Sequence, residues 1–240
     1  MFGEYSVVKS WKVGVFAVIL TLIISSLFVN TKRIYTRLSP YYWWLLTRAT
    51  MIALWIMRVK VDAEGLEKLP DEPFLLVSNH RSKYDPIVTW HILRKRPIAF
   101  ITKPENLKVV VFGRIVRRCC FMPIDRQDPR KAIGTINAAA DLLRRGEMLV
   151  GVYPEGTRNS GAELLPFHNG VFKIAKKAEA PIVVLGINGA DRIKKRLFLG
   201  HRVKLTVLDV IDAQTVKENR DIQLGERIRD QLAQHTKIGV

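Results

Sequence analysis

A chain of 240 residues with 48% hydrophobic content can bury one sizeable core and is too short for two full domains of ordinary size. Its formal net charge of +17 calls for an anionic partner: nucleic acid, an anionic membrane surface or a phosphorylated substrate. The only cysteines, Cys119 and Cys120, are adjacent, which excludes a disulfide framework and C-x-x-C metal or redox spacing and fits a reducing, cytosol-facing location.

Residues 13–29 are uncharged and largely apolar. As a helix this stretch spans about 26 Å, slightly short of a ~30 Å hydrocarbon core. Lys9 and Lys12 precede it and Lys32, Arg33 and Arg37 follow it, so neither end is marked as external. A second apolar stretch, residues 41–57, carries Trp43, Trp44 and Trp55 but is interrupted by Arg48. An aromatic-rich helix with an internal arginine suits the interface better than the bilayer centre. Together the two stretches predict a helical hairpin embedded in one leaflet, with a single span as the alternative. No small-x-small cleavage site follows, which argues against a secretory signal peptide. The expected organisation is a membrane-anchoring hairpin with its linker over residues 1–58, hinged within residues 31–40, and an α/β domain over residues 59–240.

Downstream, strand and helix patterns alternate. Strand-like runs occupy residues 74–77, 97–102, 121–124, 148–153, 182–187 and 203–210. Helical patterns cover about 86–93, 106–118, 130–144, 168–179 and 216–235. Such alternation predicts a largely parallel central sheet covered by helices. From His91 to Lys131 there are eleven Lys/Arg against three Asp/Glu, so the basic excess is local as well as global. Zinc-finger, homeodomain and RNA-recognition signatures are absent, and the expectation is no nucleic-acid partner. His80, His91, His168, His201 and His235 show no His-Glu-x-x-His arrangement, so no metal site is expected.

The first chemically suggestive block is Asn79-His80-Arg81-Ser82-Lys83-Tyr84-Asp85-Pro86. A histidine at a strand end with a carboxylate folded onto it can act as a general base near neutral pH. In a straight helix, residues five apart diverge by about 140° around the axis, so His80 and Asp85 meet only across a turn. Pro86 favours that turn as a first helical residue, with Asp85 as N-cap. Asp85 as a simple cap and His80 as an ordinary loop residue is an equally good reading of this block alone. The second block ends the apolar run of residues 148–153 with Pro154-Glu155-Gly156-Thr157-Arg158. It falls at the C-terminal edge of a strand, where α/β sheets bind ligands. Gly151 and Gly156 superficially suggest a phosphate loop, but Thr157 stands where its lysine belongs.

Taken together these blocks resemble the glycerolipid acyltransferases, which carry NHxxxxD and EGTR motifs in that order. Residues 79–85 match the first motif. Phe121-Met122-Pro123-Ile124-Asp125-Arg126 is similar to the second, residues 155–158 match the third, and Ala180-Pro181-Ile182-Val183-Val184 resembles the proline-led fourth. Leu185 stands where a second proline is common. The likeness covers roughly residues 66–211 and is strongest to the bacterial 1-acylglycerol-3-phosphate branch. It implies transfer of a fatty acyl group from an acyl thioester to lysophosphatidic acid, making phosphatidic acid at the inner or plasma membrane with the catalytic domain facing the cytoplasm. By this resemblance His80 is the general base and Asp85 its orienting partner. Arg126 and Arg158 hold the acceptor's phosphate, and Glu155, Gly156 and Thr157 complete the substrate-binding turn. Lys103, at the end of the strand-like run 97–102 on the same sheet edge, is either a third cation for the phosphate or a surface lysine whose stem lies along the protein. Glu155 either orients the glycerol or holds Arg158, and N–H groups near the Glu155-Gly156 turn are candidate oxyanion donors. Acyl carrier protein or coenzyme A serves as co-substrate, acyl carrier protein is a candidate partner, and no cofactor is required. The competing classes are an acyltransferase for another lysophospholipid or glycerol 3-phosphate, a covalent route through Cys119 or Cys120, a non-catalytic anionic-lipid-binding protein, and a lipid hydrolase. The last lacks a Gly-x-Ser-x-Gly elbow. Phe167, Phe172 and residues 182–185 are expected as core rather than as acyl-pocket lining.

Overall fold

The computed structural model describes residues 2–125, 128–159, 161 and 163–238. Helix α1 (Phe2–Leu27) and helix α2 (Pro40–Ile56) come first, so α1 starts well before the uncharged run that marks it in the sequence. The Tyr42 hydroxyl donates to the Ser25 carbonyl at 2.9 Å, and Ser25 Oγ lies 2.6 Å from the Tyr41 hydroxyl, tying the end of α1 to the start of α2. No helix among the described residues is long and apolar enough to cross a membrane.

The rest is built on a seven-stranded sheet of order β1-β7-β6-β2-β5-β3-β4. Its strands are β1 (Val59–Glu64), β2 (Leu75–Ser78), β3 (Ile98–Thr102), β4 (Met122–Pro123), β5 (Leu149–Val152), β6 (Ile182–Asn188) and β7 (His201–Ile211). Strands β4, β3, β5, β2 and β6 run parallel, whereas β7 is antiparallel to β6 and pairs in parallel with β1. Central β2 is buried at every position, as a parallel strand covered on both faces must be, which is why its sequence is an unbroken apolar run. Alternate residues feed two cores. Phe74 and Leu76 pack with α2, with α3 (Asp85–Ile92) and with α4 (Phe112–Arg118) through Leu45, Val88, Trp90 and Ile115. Leu75 and Val77 pack on the other face with α5 (Pro129–Arg144), α6 (Lys173–Ala178) and α8 (Asp221–Ile238) through Leu142, Ile174 and Ile228.

Three details depart from the sequence reading. Edge strand β1 was not anticipated, because Val59-Lys60-Val61-Asp62-Ala63-Glu64 alternates apolar and charged residues directly after the longer apolar stretch of α2. The helix expected over 216–235 is two: α7 (Ala213–Glu218), capped by the Asp212 carboxylate on the Thr215 N–H, and α8. The segment 106–118 is a 3-10 turn (Pro104–Lys108) followed by the short α4.

Helix α2 is also packed more deeply than a purely interfacial helix would be. Tyr42, Leu45, Leu46 and Leu54 lie in the first core, and the Trp90 indole N–H donates to Thr47 Oγ1 at 3.0 Å. The Arg118 guanidinium sits over both the Tyr35 and Tyr42 rings, at 4.3 and 5.1 Å. The exposed face of α2 carries Tyr41, Trp44, Arg48, Met51 and Trp55, spaced three or four apart.

Candidate active site

Parallel pairing brings the ends of β2, β5 and β3 to one edge of the sheet: Val77 stands beside Val152, and Phe100 beside Gly151. His80 and the Glu155–Arg158 turn, 75 residues apart for the pair His80 and Glu155, therefore leave the sheet side by side, with Lys103 following β3. Asn79 holds the exit of β2. Its fully buried amide accepts from the Ile187 N–H at 2.8 Å and donates to the Ile187 carbonyl at 2.9 Å, extending the β2–β6 ladder with a side chain.

The turn after Asn79 makes the His80–Asp85 encounter. Asp85 is 1% exposed, and its Oδ2 lies 2.8 Å from His80 Nδ1 while accepting the N–H groups of Arg81 (2.8 Å) and Ser82 (2.7 Å). Asp85 is thus the first residue of α3, and its carboxylate turns back to the preceding loop instead of serving as the expected N-cap. Burial pushes its carboxyl above the usual carboxylate range, against the pull of the hydrogen bonds from His80, Ser82 and Arg81. An ionised Asp85 fixes the proton on Nδ1 and leaves His80 Nε2 for the cavity. The imidazole is held flat as well. It stacks on Tyr153 at 4.3 Å between centroids and 20° between planes, and Tyr153 stacks in turn on Phe100 at 5.8 Å and 5°. Gly151 admits this wall, since a Cβ there would come within 2.5 Å of the Phe100 ring. That close approach, and not phosphate binding, is the reason for a glycine at 151.

Glu155 has a different place from either role considered for it. It is 2% exposed; Oε1 accepts the His80 N–H at 2.9 Å, and Oε2 accepts the Leu165 N–H at 3.0 Å and the Asn159 amide at 3.2 Å. The Asn159 N–H returns a bond to the His80 carbonyl at 2.8 Å. The carboxylate is a brace that locks the histidine loop to the β5 turn. Gly156 closes that turn with its N–H on the Tyr153 carbonyl at 2.9 Å and takes φ +70°, a conformation glycine adopts without steric penalty. Its N–H is therefore occupied and drops out as an oxyanion donor. Thr157 and Arg158 are exposed, and the Lys103 ammonium donates to Thr157 Oγ1 at 3.2 Å. Arg126 lies outside the described residues.

His80 Nε2 faces a cavity of about 300 Å³ whose polar rim is formed by Lys83, Lys103, Thr157 and Arg158. None of the described lining residues is acidic. Lys83 was not singled out in the sequence, although its place in the first block gave a signal. Pro86, Phe112, Val116 and Phe121 are shared with a second, almost wholly apolar cavity of about 410 Å³ between α1, α2, α3 and α4. Phe172 and residues 182–185 are buried in the core, as expected, and do not line it. Among the described residues no group of three or more His, Cys, Asp or Glu side chains is placed to hold a metal ion.

The two thiols are poor nucleophiles. Both are fully buried; burial pushes Cys119 far above the usual thiol range and Cys120 up to about 11, so neither is a thiolate at neutral pH. Replacing both with serine should leave turnover of the folded protein close to that of wild type; loss of turnover without loss of fold would reopen the covalent route.

The family model described as Acyltransferase matches residues 60–188, more than half of the chain, and the chain belongs to that family. It is 29% identical over 178 residues to the 1-acyl-sn-glycerol-3-phosphate acyltransferase alpha of Bos taurus, covering 72% of this chain and 62% of that protein. It is 32% identical over 157 residues to a probable 1-acyl-sn-glycerol-3-phosphate acyltransferase of Mycoplasma pneumoniae, covering 62% of this chain and 58% of that one. The chain thus matches less than two thirds of the length of either relative. The crystal structure of the 1-acyl-sn-glycerophosphate acyltransferase PlsC from Thermotoga maritima shares the fold, with a TM-score of 0.68 at 20% identity over 91% of this chain and 86% of that one.

Proposed function

We propose that this protein transfers a fatty acyl group from an acyl thioester to the sn-2 hydroxyl of lysophosphatidic acid. The observation that carries the reading is the His80–Asp85 pair at 2.8 Å, set where a cation-rimmed cavity meets an apolar one. His80 Nε2 takes the proton of the acceptor hydroxyl as that oxygen attacks the thioester carbonyl. The tetrahedral intermediate collapses, breaking the C–S bond, and the departing thiolate recovers the proton from the imidazolium. Asp85 holds the tautomer and stabilises the imidazolium, with the substrate hydroxyl in the place a serine has in hydrolases. Lys103, Arg158 and Arg126 neutralise the phosphate, and the apolar cavity accommodates an acyl chain. Beyond its two substrates the reaction calls for no cofactor.

The apolar N-terminal helices are assigned to the bilayer, as a membrane-anchoring unit over residues 1–58 carrying an α/β domain over residues 59–240 at the cytoplasmic face of the inner or plasma membrane. Val13, Phe16, Leu20, Ile24 and Leu27 are exposed on α1, which supports this assignment. Cysteine accessibility should show Glu4 and Arg33 labelling from the same side of the membrane, as a one-leaflet hairpin requires. Labelling from opposite sides would replace the hairpin with a single span. The activity itself is tested by thioester-dependent transfer, with acyl carrier protein and coenzyme A donors, to lysophosphatidic acid, glycerol 3-phosphate and other lysophospholipids. Absence of turnover with every acceptor defeats the proposal.

A further inference from the structure

The antiparallel edge of the sheet brings three separate segments to the catalytic end. Because β7 runs against β6 and alongside β1, both begin where β2, β5 and β6 finish. The end of α2, the start of β1 and the connection 193–200 between β6 and β7 therefore share an edge with His80. Trp55, Arg58, Lys60, Arg196 and Arg202 line one open depression there.

The connection reads Ile193-Lys194-Lys195-Arg196-Leu197-Phe198-Leu199-Gly200. Ile193 is buried and anchors it, whereas Leu197, Phe198 and Leu199 are 39%, 56% and 77% exposed. Phe198 holds φ +67°, a conformation a glycine would take with less strain, yet the position carries a large aromatic ring directed at solvent. Residues 190–202 contain five Lys/Arg against one Asp. Three consecutive exposed apolar residues behind three consecutive cations have the composition of an interfacial lipid contact, with apolar side chains for the acyl boundary and cations for the headgroups. The exposed Trp55 of α2 borders the same depression and continues an exposed aromatic stripe that also carries Arg48.

We infer that residues 194–199 are a second membrane contact of this protein, in which Leu197, Phe198 and Leu199 enter the headgroup–acyl boundary and Lys195, Arg196 and Arg58 meet anionic lipid phosphates. The occupant is an anionic lipid surface, by charge complementarity and by the apolar tip. This rests on the reading that the enzyme acts on a membrane lipid. It adds an orienting function: the loop and the N-terminal helices together turn the catalytic edge toward the bilayer, where an acceptor in the headgroup layer can reach His80.

The test is flotation of the full chain with vesicles of phosphatidylcholine alone or with added phosphatidylglycerol. The variant Lys195→Ser/Arg196→Ser should bind phosphatidylglycerol vesicles more weakly by about fivefold per cation removed, the loss expected for a basic residue at an anionic surface. It should bind phosphatidylcholine vesicles like wild type. The variant Leu197→Ser/Phe198→Gly/Leu199→Ser should weaken binding to both. None of these positions lines the catalytic cavity, so turnover of a micellar acceptor with a coenzyme A thioester should be unchanged in both variants, which also reports that they are folded. Wild-type vesicle binding by both variants overturns the inference. Unchanged vesicle binding with turnover lost only for the acyl carrier protein donor also overturns it, and identifies the surface as a dock for an acidic protein. The primary readout is partitioning, so absence of acyl transfer in wild type would strike the proposed function and leave the vesicle result standing.

Discussion

His80→Ala is expected to lower turnover by about two to four orders of magnitude, the usual worth of a positioned general base. Because the ring is only 17% exposed, stacks on Tyr153 and pairs with the buried Asp85, its loss also costs some stability, and turnover is to be compared on the folded variant. Asp85→Asn should cost less turnover than His80→Ala, yet far more than loss of a helix cap, which affects folding and not the folded enzyme. The asparagine oxygen can keep the N–H groups of Arg81 and Ser82 while losing the charge that stabilises the imidazolium. The Asp85 carboxyl is raised by burial, so the native state disfavours its ionised form, and this residue's contribution to stability declines as pH rises through the raised value. Removing its charge should therefore leave the protein as stable as wild type, or more so, at neutral pH while activity falls. Lowering the pH protonates Asp85 earlier than an ordinary carboxyl, because burial raises it, and removes the charge that orients and stabilises the imidazole. kcat/KM should therefore decline on acidification. Near-normal turnover of purified, folded His80→Ala would remove the mechanism.

The proposed phosphate contacts of Arg158 and Arg126 predict the second large effect. Arg158→Ala should raise the KM for lysophosphatidic acid by about ten- to a hundredfold, the range expected for a hydrogen bond to a charged group, with little change in the donor's KM. Arg158→Lys should rescue only part of this, because an ammonium keeps the charge and loses the planar two-bond fork. Arg126→Ala should behave in the same way. Monoacylglycerol, which lacks the phosphate, should be a poor acceptor for wild type and lose much less on either substitution. The two acceptors on wild type and variant form a cycle that isolates the phosphate–arginine coupling. Equal losses for both acceptors would assign the arginines to the fold or to the donor.

Arg158 is exposed and Glu155 is buried, so two residues of one motif separate in placement. Both were visible as a charged turn after an apolar strand. Nothing local distinguishes a carboxylate that meets substrate from one that receives three N–H donors, one of them from the distant His80 loop. The same holds for Asn79, whose partner Ile187 is 108 residues away. Edge strand β1 was missed for the opposite reason: its alternation is short and adjoins a stronger helical signal.

Legible along the chain were the βα alternation, the six other strands and the proximity of His80 and Asp85 as one of two readings of their block. Each of these rests on local periodicity or on residues within one turn of one another. The folded arrangement was needed to show that Glu155 braces His80, that Gly151 is required by the Phe100 ring, and that the apolar cavity lies between α1, α2, α3 and α4. It also brought residues 193–200 to the catalytic edge, through a single antiparallel strand. These features depend on which strands become neighbours. Pairing is settled by the summed burial of two cores on opposite faces of the sheet, a quantity that no short stretch of sequence contains.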